Sequence, residues 1–179
     1  MNHTDILKFW FEEIDPKQWW RKDQAFDHQL LERFATVHQQ AARCELFEWR
    51  ATAAGRLAEI IVLDQFSRNM FRDTPAAFAC DPLALALAQE AVRAQHDVSL
   101  TPNQRVFLCM PYMHSESLPI HDVAVALFQS IGIPENYNFE LRHKAVIERF
   151  CRFPHRNAIL GRASSAEEIE FLKSPGSSF

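Results

Sequence analysis

The sequence predicts an all-α protein, a single domain of about eight or nine helices that run antiparallel to their neighbours. Three observations carry this reading. Apolar residues recur at helical spacing with no sustained alternation, glycine occurs only 4 times in 179 residues, and cap-then-proline pairs mark helix starts at 81–82 and 101–102. The domain is expected over 1–173, followed by a frayed tail over 174–179 that contains Ser174-Pro175-Gly176-Ser177-Ser178.

Thr4 or Asp5 is positioned to cap a first helix carrying Ile6, Leu7, Phe9, Trp10 and Ile14, which Pro16 ends. A second helix over 22–40 places Phe26, Leu30, Phe34 and Val37 on one stripe and Asp27, Glu32 and Arg33 elsewhere. The third, over 52–68, is apolar nearly all round between Leu57 and Leu63 and so belongs at the centre of the bundle. Asp73-Thr74-Pro75 makes a turn. Asp81, as cap, and Pro82 open a fourth helix running to about 95, and Thr101-Pro102 opens a fifth that Pro111 kinks on its way to His114. A sixth over 119–131 stops at Gly132-Ile133-Pro134, a seventh spans 139–153, and Ser164 or Ser165 followed by Glu167 and Glu168 begins a short last helix.

A formal net charge of −4 gives the molecule no electrostatic reason to seek nucleic acid or an anionic membrane. No apolar run reaches the ~20 residues of a spanning helix, and the N-terminal residues lack the basic stretch and cleavage site of an export signal, so a cytoplasmic protein is expected. The 4 cysteines are scattered without a C-x-x-C pair and fit a reducing compartment. The 8 histidines include neither H-E-x-x-H nor an i,i+4 pair, and the glycine-rich phosphate loops and G-x-S-x-G are missing; neither a metal nor a cofactor is expected.

Three clusters are candidates for chemistry. In Asp64-Gln65-Phe66-Ser67-Arg68-Asn69-Met70-Phe71-Arg72 the residues Asp64, Arg68 and Arg72 are four apart; two guanidiniums on one face suit a phosphate or carboxylate, while the alternative is an Asp64–Arg68 pair with Arg72 paired elsewhere. In Pro111-Tyr112-Met113-His114-Ser115-Glu116, His114 is a candidate general base oriented by Glu116, or else a histidine capping a helix end. In the run 149–157, Arg152, His155, Arg156 and Asn157 gather cations and aromatics around a proline turn, suited to an anion or to pairing with Glu167 and Glu168.

Taken together, Leu63-Asp64-Gln65-Phe66, Arg68-Asn69, Phe71-Arg72, 74–79, His114-Ser115-Glu116, Arg152-Phe153-Pro154-His155-Arg156-Asn157 and Gly161-Arg162 resemble, in order, the motifs of the bacterial domain-of-unknown-function family 924. The resemblance implies antiparallel helices similar to tetratricopeptide superhelices. Ser67 stands where the family usually has proline, and Cys151 where it usually has glycine. Because the family motifs coincide with the three clusters, Asp64, Gln65, Arg68, Asn69, Arg72, Arg152, Arg156 and Asn157 are expected to line a ligand site, with His114, Glu116 and His155 as candidate catalytic groups. The expected ligand is a small carboxylate or phosphate. The alternatives are a tetratricopeptide-like module holding a peptide carboxylate, or a structural polar network joining helices.

Overall fold

The computed structural model describes residues 1–178, and every regular element among them is helical. Helix α1 (His3–Lys8) is capped by Asn2 in a reciprocal box with Asp5, two or three residues before the cap expected at Thr4 or Asp5, and continues through a π turn (Phe9–Glu13). A 3₁₀ segment (Pro16–Trp20) leads to α2 (Gln24–Ala42), which starts where the Asp23 carboxylate accepts from the Ala25 and Phe26 N–H groups. The third predicted helix is three consecutive pieces on one path: α3 (Ala53–Ile61), a π turn (Val62–Phe66) and α4 (Ser67–Met70).

Helix α5 (Asp81–Arg93) corrects one expectation: its N-cap is Cys80, and Asp81 sits in the first turn, where the carboxylate meets arginines and not free backbone N–H groups. Helix α6 (Pro102–Met113) has the predicted Thr101 cap, reinforced by Gln104, and contains Pro111. Helix α7 (Leu118–Ile131) ends on the left-handed Gly132, with φ 79°. Helix α8 (Pro134–Phe150) begins at the proline itself, five residues before Phe139, and ends three residues before Phe153. The early stop follows from Cys151, whose φ of 57° is incompatible with helix continuation. Helix α9 (Ala166–Leu172) is capped by Ser165 in a box with Glu168. Within the tail, the Ser177 hydroxyl donates to the Leu172 carbonyl and the side chain of Ser177 is buried, whereas Phe179 lies outside the described residues.

Helix α3 lies between α1, α5 and α6, which together bury Leu57 to Ile61 on every side, the charged Glu59 included. The tight links 114–117 and 132–133 fold α6, α7 and α8 back against one another. The main core stacks Phe9, Trp10, Phe34, Phe66 and Phe107, and a smaller cluster of Val146, Ile147 and Phe153 packs with Phe150 and Phe171 near the C-terminus. Glu59, fully buried inside α3, is met by both nitrogens of a fork from Arg50 at 2.8 and 2.7 Å. Among the described residues no helix is long and apolar enough to cross a membrane.

Candidate functional site

The π turn that interrupts α3 and α4 sets the site. It widens the turn at Val62–Phe66, so Asp64 faces α6 while Arg72, beyond α4, faces α2. Arg72 forms a two-pronged pair with Asp27 at 2.6 and 2.8 Å and also donates to Asn69. The shared face of Asp64, Arg68 and Arg72 therefore splits: Asp64 and Arg68 stay paired at 3.0 Å, and Arg72 points away.

Asp64 is fully buried, and its Oδ1 accepts a 2.8 Å hydrogen bond from His114 Nδ1 at the C-terminal end of α6. Burial alone would raise the Asp64 carboxyl, but the charge of Arg68 and the contact with His114 outweigh it and hold the group far below the usual carboxylate range. Gln65 Nε2 donates to the other carboxylate oxygen at 2.6 Å. Burial, and then the nearby Arg68 charge, lower the pKa of His114, so the ring is neutral at pH 7. With Nδ1–H held by Asp64, the free lone pair is on Nε2. Asp64, and not Glu116, orients His114. Because α6 has ended at Met113, Glu116 swings away to take both prongs of Arg162 at 2.6 and 2.8 Å and the Phe153 N–H at 2.7 Å.

Asp81 is the group that sequence reasoning missed. It accepts from Arg68 through both oxygens at 2.9 and 3.0 Å, and from Arg156 at 3.3 Å. Arg156 also donates to the His114 carbonyl at 3.1 Å, and its guanidinium lies 4.7 Å from the Phe78 ring centre and 4.5 Å from that of Phe153. Burial pulls the Arg156 pKa down to about 10. The only sequence signal for Asp81 in this role is its position beside Pro82, which equally suits a helix cap.

Arg68, Phe78, His114 and Arg156 line a cleft of about 810 Å³, and Asp81 supports the two arginines from outside its lining. Of the residues picked out from sequence, Gln65, Arg68, Asn69, His114, His155 and Arg156 line it. Asp64 lies directly behind His114. Arg152 instead clasps Glu168 at 2.6 and 2.8 Å, and the buried Asn157 bonds Ser164 and Arg162. Helix α6 adds Met110 and Met113; the first half of α8 adds Phe139, Arg142 and His143, and the segment after α1 adds Trp19 to Lys22. His143 Nδ1 donates to the Phe139 carbonyl at 2.7 Å. Among the described residues no group of three or more histidine, cysteine or acidic side chains is placed to hold a metal ion.

A second buried imidazole–carboxylate pair supports the cleft from behind. His121 and Glu140, both without solvent exposure, meet at 2.7 Å, and His121 Nε2 donates to the Ser115 carbonyl at 2.9 Å. Since Nε2 must be the donor there, the one proton between Nδ1 and Glu140 is shared within the pair. This contact ties α7 and α8 to the residue following His114.

The fold and the motif side chains define an all-helical protein in which an Asp64–His114 pair and two arginines meet at one cleft. The model of the family described as bacterial protein of unknown function, DUF924, matches residues 6–176, and the chain belongs to that family. It is similar to a solved protein of unknown function, ATU0120 from Agrobacterium tumefaciens, at 40% identity over 96% of each chain with a TM-score of 0.91. No curated protein matches.

Proposed function

We propose that the cleft binds a small ligand bearing a carboxylate or phosphate, and that His114 transfers a proton within it. The observation that carries this reading is the 2.8 Å bond from His114 Nδ1 to a carboxylate that is fully buried, on a histidine lining a cleft. A carboxylate in that position fixes the tautomer and stabilises the imidazolium that forms once Nε2 has accepted a proton. Among the described residues no serine, threonine or cysteine side chain is hydrogen-bonded to His114, so the proton would come from a water or from the ligand itself. His155 and the amides of Gln65 and Asn69 are further polar groups on the same walls.

A thermal-shift screen of the purified protein against small carboxylates, phosphorylated metabolites and C-terminal peptides tests the reading. A ligand-dependent rise in melting temperature that persists in His114→Gln, together with a ligand reaction that the variant cannot perform, is the expected outcome. A reaction rate unchanged by His114→Gln would refute the catalytic role. A second reading, a peptide-binding module, draws on the exposed Trp20 and Phe139 rings, 60% and 46% accessible, that flank the mouth. A rise with peptides alone would select it.

A further inference from the structure

The charges around the cleft are distributed unevenly. Arg68 is held by Asp64 and Asp81, and Arg156 by Asp81 and the His114 carbonyl, so the two guanidinium charges face two buried or half-buried carboxylates, although the buried Arg156 Nε keeps no hydrogen-bond partner among the described residues. The floor of the cleft carries the apolar side chains of Met110, Met113 and Phe78. At the mouth, Arg21 and Lys22 are exposed, and among the described residues neither forms an ion pair. They follow Trp19 and Trp20 directly in sequence, so the aromatic wall ends in two cations. The acidic lining residues Asp73 and Glu135 are both exposed.

An anion arriving at such a cleft gains most at the mouth, where cations are uncompensated, and least at the floor, where it would have to displace a carboxylate from a bidentate pair. An apolar group gains most at the floor, against thioethers and rings. Resting on the binding reading above, we infer that the ligand is an amphipathic anion that enters apolar end first, leaving its carboxylate or phosphate beside Arg21 and Lys22. His114 then faces an uncharged part of the ligand, several atoms away from its charge. The motif arginines Arg68 and Arg156 act as positioning residues for Asp64 and His114 and do not clamp the anion.

Calorimetric titration of the full chain with octanoate, octyl phosphate, acetate and inorganic phosphate separates the possibilities. The two eight-carbon probes are expected to bind at least tenfold more tightly than acetate and inorganic phosphate. The Arg21→Ala/Lys22→Ala double variant is expected to weaken them by tenfold or more while leaving the melting temperature unchanged, since both side chains are exposed. A preference for octyl phosphate over octanoate, or the reverse, assigns the head group. If acetate or inorganic phosphate binds as tightly as the long probes and Arg68→Lys abolishes that binding, the anion lies on the floor: the orientation is overturned while the anion-binding reading stands. If none of the four binds, both fall.

Discussion

Acidification from pH 7 to pH 5 should destabilise this protein steeply, and two histidines, the buried His143 and the half-buried His155, supply the magnitude. Burial, with the charge of Arg156 nearby, pushes His155 down to about 4, and burial pushes His143 down to about 3. In an unfolded chain a histidine titrates near ~6.5. The folded value is the lower one, so between these limits the unfolded chain binds a proton that the native state refuses. The stabilisation is complete above pH ~6.5 and is lost as pH falls. Each histidine removes about 1.4 kcal/mol per pH unit, and the pair therefore removes about 4 kcal/mol between pH 6.5 and pH 5. In a domain of this size 1 kcal/mol is worth roughly 2–4 °C, so the melting temperature should fall by about 8–16 °C. His38 and His114, whose pKa values are also lowered, add in the same direction. Glu140 opposes them, because burial raises its carboxyl pKa and its contribution grows as pH falls. Thermal unfolding followed by circular dichroism at constant ionic strength measures the slope, and His143→Gln should flatten it. A melting temperature constant to within about 3 °C from pH 7 to pH 5 would refute the assignment of these rings as buried and neutral.

Removing the Asp64 charge by Asp64→Asn should cost about 2–4 kcal/mol at pH 7, read from urea melts, because Arg68 and His114 lose a partner that is fully buried; a loss below about 0.5 kcal/mol would contradict the pairing. Gly55→Ala should destabilise by more than about 2 kcal/mol in the same assay, since a Cβ there would collide with the Trp49 carbonyl, which is backbone and unable to move aside. Cys151→Gly should raise stability by about 0.5–1 kcal/mol, because the residue sits at φ 57° where only glycine is unstrained. An unchanged or lower denaturation midpoint in that variant would show that contacts of the thiol outweigh the backbone term.

Helix identity was legible wherever local chemistry decides it: Thr101 before Pro102, and Ser165 with Glu168, announce their caps in sequence and make them in the structure. Helix α8 shows the limit. Pro134 reads as a stop after Gly132-Ile133, yet a proline suits the first turn of a helix just as well, and here it starts one. The site divides along the same line. That Asp64 and Arg68 pair four residues apart follows from spacing, but the meeting of Asp64 with His114, fifty residues on, depends on packing of α6 against the π turn. Asp81 was invisible because a carboxylate before a proline has a sufficient local explanation, and its tertiary role leaves no periodic trace.

The π turn at Val62–Phe66 also has a genetic consequence. A helix that accommodates one residue more than its rise requires responds to length as well as to composition. Deleting the codon of one residue in this turn would let the segment relax to regular α geometry, at the cost of one of five buried side chains. The turn already absorbs the extra residue, so the segments before and after it would keep close to their present relative rotation, whereas a deletion in the regular part of α3 would turn its two sides by about 100° against each other. What would be lost is the wide turn that aims Asp64 at His114 while Arg72 reaches Asp27. A one-residue deletion should therefore disturb the fold less here than one turn earlier, within α3, a difference that a deletion scan along 53–70 would show directly.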